Sequence, residues 1–392
     1  MNRDAADALP LIQLKTERRS NHPWIFQKMV EKPVAKPKPG SIVDIVDREG
    51  HFAGRGFYNG HSRIALRVLT ADPGEAIDEA FFARRIGAAV RLRREVLKLD
   101  AVTDAYRLVH SEGDGLSGLV VDRFADTLVV EYFSAGMFRQ RDVIRRCLLE
   151  HFPDANLYWF AEEHVQKQES FDCAIPKPPP PSVIREHGVG FHAAPGTKHK
   201  TGFFADQRDN RRALAEFCAG KRVLDLCCNS GGFGIYAKTL GGADEVVGVD
   251  LDEEILGIAE RNAKLNRVRV RFVQADIFHW LRDSNTAQQY DVVILDPAKM
   301  TRDREQVIPA LKKYLDMNKL ALAAVKPGGV FLTCSCTGLV GEEPFLDMLR
   351  RAAFYANRTV QVLKVAGAGA DHPWLAHVPE SRYLKAAFCR VE

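Results

Sequence analysis

Val223-Leu224-Asp225-Leu226-Cys227-Cys228-Asn229-Ser230-Gly231-Gly232-Phe233-Gly234 reads as a short buried strand, a glycine-rich turn and the start of a helix. Val246-Val247-Gly248-Val249-Asp250 follows as a second apolar strand that ends in a carboxylate. Together they form the nucleotide-binding half of a Rossmann-like sheet. Small residues let the backbone approach a ligand, and an acid about 20 positions on can hold ribose hydroxyls. Outward from this pair, Val270–Val273, Val292–Leu295 and Val330–Cys334 read as further strands, with a helix over Glu253–Leu265. The alternation predicts an α/β fold, a doubly wound and mostly parallel sheet. Ligands of such sheets sit at the carboxyl ends of the strands. Asp225, Asp250, Asp276, Asp296 and Cys334 all fall there.

Upstream, the chain changes character. Residues 1–72 are β-rich: Ser41–Asp47 alternates, Arg48-Glu49-Gly50 turns, His51–Tyr58 returns, and Ile64–Leu69 adds a strand. Lys15, Arg18, Arg19, Lys28, Lys32, Lys36 and Lys38 surround Trp24 and Phe26, which suits either a solvated rim over a core aromatic or an RNA-contacting face. Residues 73–181 read as α+β, with an amphipathic helix over Asp78–Leu99, a strand over Leu128–Phe133 and a helix over Arg139–Phe152. Lys177-Pro178-Pro179-Pro180-Pro181 is a stiff segment that marks the boundary before a third domain, 182–392.

The 392 residues suffice for two or three domains, and 46% apolar with 27% charged residues describes an ordinary globular chain. No apolar run approaches the roughly 18 residues that cross a membrane. Met1–Pro10 lacks a signal-peptide core, which sets a cytoplasmic location and no membrane partner as expectations. The eight cysteines show neither a disulfide framework nor zinc spacing, so no metal is expected. A net charge of +4 permits a nucleic-acid partner without arguing for one.

S-adenosylmethionine (SAM) needs backbone close to its methionine end, a carboxylate for the ribose and a polar group at the adenine edge. Gly231 and Gly232 suit the first, Asp250 the second and Asp276 the third, with Asp225 and Asn229 in the same turn. Any one of these aspartates could instead cap a helix. A NAD fingerprint requires G-x-G-x-x-G, which Asn229–Gly234 does not match. Asp296-Pro297-Ala298-Lys299 is the exit turn of the fourth strand and lacks the aromatic that stacks on adenine in N6-methylating enzymes. Thr333-Cys334-Ser335-Cys336 closes the next strand. A thiolate beside a methyl donor can add to carbon 6 of a pyrimidine and turn carbon 5 into a nucleophile. A buried structural cysteine is the competing reading.

With these residues assembled, the chain resembles the large-subunit 23S rRNA cytosine-5 methyltransferases of the methyltransferase I type. The likeness rests on Ser20–Phe26, Gly113–Arg123, Lys200–Arg211, Asp296–Lys299 and Thr333–Cys336, and covers nearly the whole chain. It implies an N-terminal PUA domain, a small central α+β domain and a class I methyltransferase domain, with SAM as cofactor. It also implies 23S rRNA or a large ribosomal subunit precursor as partner and 5-methylcytidine as product. In the resemblance, Cys334 takes the nucleophile's place, Cys336 is a bystander, and Asp296 lies by the target base. Phe204, Gln207 and Arg208 lie where related enzymes cover SAM. Glu380, in Pro379–Lys385, stands near the family's closing strand as a candidate base. The family commonly has Asp-Pro-Pro-Lys-Phe where this chain has Asp296-Pro297-Ala298-Lys299-Met300. The stretch Phe191–Lys200 is more basic than the pattern. Methylation at uracil carbon 5 or a guanine nitrogen, a SAM-binding assembly factor without activity, and a homodimer remain open.

Overall fold

The computed structural model describes residues 9–18, 20–196, 201–283, 286–301 and 303–392. The acidic residues among 1–8, Arg19 and Thr197–Lys200, which the sequence reading used, lie outside them. The chain forms two compact units. One comprises 1–182, 193–203 and 370–379; the other comprises 183–192, 204–369 and 380–392.

The first unit holds two sheets. Strands β1 (Leu11–Gln13), β2 (Trp24–Phe26), β3 (Ser41–Val46), β4 (Phe52–Tyr58) and β5 (Ile64–Thr70) assemble in the order β1-β3-β4-β5-β2. The β3–β4 turn forms because the Asp47 carboxylate accepts the amides of Glu49 and His51 (both 2.9 Å). The expected amphipathic helix is α1 (Glu79–Arg91), capped by Asp78, whose carboxylate accepts from Phe81 N. A π-helical turn, Leu92–Val96, continues it. The second sheet runs β6 (Ala105–His110), β7 (Leu119–Phe124), β8 (Thr127–Tyr132) and β9 (Asn156–Phe160) in sequence order. Helices α2 (Ala135–Arg139), α3 (Arg141–His151) and α4 (Glu163–Glu169) complete it. Phe57 and Leu69 from the first sheet enter the apolar core of the second, with Phe81, Phe82, Ile86 and Leu108.

In the second unit, a hairpin of β10 (Ser182–Glu186) and β11 (Val189–Ala193) leads to α5 (Arg208–Ala215). The main sheet then forms from β12 (Arg222–Leu226), β13 (Glu245–Asp250), β14 (Arg271–Gln274), β15 (Tyr290–Leu295), β16 (Val325–Ser335), β17 (Val360–Ala366) and β18 (Lys385–Val391). Their order is β14-β13-β12-β15-β16-β18-β17. The first five are parallel, and β18 runs antiparallel to both its neighbours. The intervening helices are α6 (Gly232–Thr239), α7 (Glu253–Leu265), α8 (Ile277–Asp283), α9 (Val307–Ala324) and α10 (Glu342–Tyr355).

This is the doubly wound α/β fold that the alternation predicts. All five expected strands are present, displaced by a few residues at most. Leu224, Val247, Val293, Leu295 and Phe331 are fully buried, as strands covered on both faces require. The strand order reverses between β12 and β15, so the crevice for a ligand opens at the carboxyl ends of those two strands.

Candidate active site

Four chain turns converge at that crevice because backbone pairing continues past the strand ends. Asp296 N donates to Leu226 O (3.3 Å), Cys228 N to Val249 O (3.1 Å) and Ala275 N to Asp250 O (2.9 Å). Asp225, Asp250, Asp276 and Asp296 are thereby drawn together, and all four raise the proton affinity of Cys227, whose thiol burial already pushes up.

The turn after β12 is built mainly from backbone. Cys227 (φ 58°) and Asn229 (φ 47°) occupy the left-handed region, which is uncommon for residues with a Cβ and clusters at functional turns. Asp250 holds this shape: its Oδ2 accepts Asn229 N (2.9 Å) while its Oδ1 accepts Asp252 N (3.1 Å). Gly231, at φ 81°, begins α6, and a Cβ there would meet Ile235 and Phe272 at 3.1 Å. A Cβ on Gly232 would stand 3.2 Å from Arg211 Cδ. Asn262 completes the support by donating to Ser230 O (3.0 Å).

Asp225 is 1% exposed. Its Oδ2 accepts Gly234 N (2.9 Å), and its Oδ1 is buried with no hydrogen-bond partner among the described residues. Burial, reinforced by the charges of Asp296 and Asp250, pushes its pKa up to about 7. Asp276 does cap a helix, since its Oδ1 accepts Phe278 N (2.8 Å) and His279 N (3.3 Å) at the start of α8.

Cys334 is fully buried on β16, opposite Ala386 of β18. Burial and the neighbouring Asp296 hold its thiol well above the usual range, against a lowering influence of the Gln207 side chain. Gln207 also donates from Nε2 to Asp296 Oδ2 (3.0 Å) and accepts from Asn210 Nδ2 (2.6 Å) at Oε1. One amide therefore fixes Asp296, one of the two residues expected to carry the chemistry. Phe204 and Arg208 flank it: Phe204 O accepts from Arg211 Nη1 (3.1 Å), and Arg208 lies 1% exposed with its Nε 3.4 Å from Asp209 Oδ1.

The exit turn of β15 is stitched to that of β16. Met300 N donates to Thr337 Oγ1 (3.3 Å), and Cys336 Sγ lies 3.9 Å from Pro297 O. Tyr314 OH meets Thr337 Oγ1 (3.0 Å) and accepts from Ser335 Oγ (3.1 Å). Met300 packs on the core as an apolar wall, and Ala298 and Lys299 are exposed. Glu380 is exposed, and its carbonyl would lie 3.6 Å from a Cβ placed on Gly338.

Sequence reasoning missed Tyr383, whose hydroxyl donates to Asp206 Oδ2 (2.7 Å), and Lys385. Lys385 is 1% exposed, bonds Thr337 O (2.7 Å) and Tyr383 O (2.8 Å), and is pushed by burial down to about 8. The available signal was a lysine directly before the apolar run Ala386–Cys389.

The crevice suits SAM. A glycine turn gives backbone access, a buried carboxylate keeps an unused oxygen, and acids at successive strand ends face a ligand that carries a sulfonium and an ammonium. Asp225, Asn229, Gly231, Gly232, Asp250 and Asp276 would hold it.

Comparison with known proteins agrees with this architecture. A PUA-like domain matches residues 15–71, and the S-adenosylmethionine-dependent methyltransferase family matches 110–366. The ribosomal RNA large subunit methyltransferase I of Aeromonas hydrophila is 40% identical over 380 residues, 94% of this chain and 95% of the relative. Its counterpart in Klebsiella pneumoniae is 38% identical over 379 residues, 94% of each. The fold is shared with a solved methyltransferase complexed with SAH (TM-score 0.82, 18% identity, covering 98% of this chain and 100% of that one). It is also shared with a SAM-dependent methyltransferase from Streptococcus mutans (TM-score 0.80, 17% identity, 97% and 100%).

Proposed function

The chain belongs to the ribosomal RNA large subunit methyltransferase I family, and from that premise we propose that it forms 5-methylcytidine in 23S rRNA through a covalent adduct with Cys334. The carrying observation is the Gln207 amide, which donates to the Asp296 carboxylate at the strand end next to that of Cys334. SAM, when bound, supplies the methyl group and leaves as S-adenosylhomocysteine. The residues of the chain would do the rest. Asp296 accepts a hydrogen bond from the cytosine amino group and orients the ring. The Cys334 sulfur bonds to carbon 6 as its proton leaves, ring nitrogen 3 takes up a proton, and carbon 5 gains the nucleophilic pair. After carbon 5 is methylated, its proton is removed, the sulfur–carbon bond breaks, and nitrogen 3 gives up its proton. Glu380 is the proposed acceptor of the carbon-5 proton.

The buried thiol starts neutral, so its deprotonation would be coupled to entry of the base. Gln207 lowers the thiol's proton affinity against the opposing effect of Asp296. Phe204, Gln207 and Arg208 would close over the cofactor, and residues 1–72, 73–181 and 182–392 would serve as RNA-binding, central and catalytic domains of a cytoplasmic enzyme. A second reading, methylation of a guanine nitrogen without an adduct, is favoured by the complete burial of Cys334.

Transfer from labelled SAM to unmodified 23S rRNA, followed by nucleoside analysis, tests the proposal. Labelled 5-methylcytidine is expected. A labelled 5-methyluridine or methylguanosine would overturn the acceptor. No label on RNA or on subunit particles would leave a SAM-binding protein without transfer.

A further inference from the structure

The stretches Gly113–Arg123 and Lys200–Arg211 contain buried polar residues that the chemistry above leaves unexplained. Within the first unit these residues form one continuous hydrogen-bonded chain. Thr201, 1% exposed, donates its hydroxyl to the Asp122 carboxylate. Asp122 also receives the Arg107 guanidinium through both oxygens. The backbone amide of Arg107 donates to Asp371 Oδ2 (2.9 Å). Asp371 is fully buried, and its carbonyl accepts from Arg93 Nη2 (2.8 Å). Arg93, also fully buried, pairs with Asp114 at 2.6 and 2.8 Å, and Asp114 Oδ2 accepts His110 N (2.6 Å).

Burying this many charges is costly and contributes little net stability compared with apolar packing of the same volume. Such networks are best explained by what they hold in place. Thr201 and Asp371 enter this network from later, separate segments of the chain. Thr201 lies just before the chain passes into the second unit at 203/204; Asp371 lies just after the chain returns from it at 369/370, in the segment that re-enters it at 379/380. The first passage leads to Gln207 and the second to Tyr383. Inside the second unit these two segments are fastened to each other again: Tyr383 OH donates to Asp206 Oδ2 (2.7 Å), Gly369 N to Asp206 O (2.9 Å) and Asn210 Nδ2 to Gly367 O (3.0 Å).

We propose that Thr201, Asp122, Arg107 and Asp371 are positioning residues for methyl transfer: they fasten together the two segments that deliver Gln207 and Tyr383 to the catalytic unit. The inference rests on the reading of Gln207 as the group that holds Asp296 for the reaction. None of the four touches the reacting atoms.

The test uses the full chain carrying Thr201→Val, which removes one hydroxyl at constant shape, and separately Asp371→Asn. Each is assayed for melting temperature, amide exchange over 204–210 and 380–383, SAM affinity, and kcat and KM for transfer to 23S rRNA. Faster exchange in both segments is expected from either variant, with kcat falling roughly 10- to 100-fold at nearly unchanged RNA KM, since small misplacements of reacting groups are expensive. Thr201→Ser is expected to restore the wild-type values. The double variant is expected to lose little more than the worse single one, because both loosen one device.

Unchanged exchange and kcat in both variants would overturn the proposal. So would losses that only track the melting temperature and add in the double variant, the mark of a purely structural network. Faster exchange and weaker SAM binding in an enzyme whose product is not 5-methylcytidine would keep the positioning role and overturn the cytosine reading instead.

Discussion

The first unit and the crevice of the second treat buried charge in opposite ways. In the first, buried carboxylates meet buried guanidinium groups: Asp114 with Arg93, and Asp122 with Arg107. In the second, at the ends of β12 and β13, Asp225 and Asp250 accept from backbone amides, and Gln207 donates to Asp296 at the end of β15. The first arrangement is complete in itself, whereas the second is complementary to a cation. Asp296 and Asp250 add to burial in raising the pKa of Asp225, and binding of a positively charged ligand relieves that repulsion. Fixing a backbone and preparing a ligand site thus use the same residue type with different partners.

The strongest challenge to this contrast lies at the crevice. Cys334→Ala should abolish methyl transfer, by roughly 10⁴-fold or more, as expected for a nucleophile, while SAM binding measured by calorimetry persists. Near-normal turnover would remove the covalent role and leave the crevice as a cofactor site alone.

On the paired side, Asp114→Ala strands the buried Arg93 charge and should cost about 3–5 kcal/mol of stability in chemical denaturation. A loss below 1 kcal/mol would mean that the charges of the first unit are not held as a pair.

Asp225 provides the sharpest pH test. Its folded pKa is raised from 3.8 to about 7, so the protonated form favours the folded state. Stability without ligand should therefore be full below about pH 4 and decline as pH rises to about 7, by at most on the order of 4 kcal/mol. Asp225→Asn should flatten that decline and stabilise the free protein at pH 8, yet weaken SAM binding. If the variant binds SAM as tightly as the wild type, this carboxylate is not part of the cofactor site. The smallest effect is expected from Cys336→Ser, with transfer changed less than about threefold, since the sulfur's contact with Pro297 O is long at 3.9 Å.

Much of the catalytic unit is legible in sequence because its signals are local. Five apolar runs became β12 to β16, and the acids at their ends fell at the crevice by chain order alone. β17 escaped because Gln361, Val362, Leu363 and Lys364 are exposed, so no alternation marks the strand. The site candidates from Phe204 to Arg208 could be placed only by resemblance. That Gln207 bonds Asp296 depends on residues 89 positions apart.

Periodicity, turn residues and strand-end acids determined the α/β class, the glycine turn and the set Asp225, Asp250, Asp276 and Asp296, because each depends on neighbours a few residues away. Tertiary structure decided which acids would be paired. It joined Asp122 to Thr201 across 79 positions and Arg107 to Asp371 across 264, and it raised the pKa of Asp225 by closing the protein around it. Desolvation and charge proximity belong to the folded surroundings of a group, and those surroundings exist only once distant segments have met.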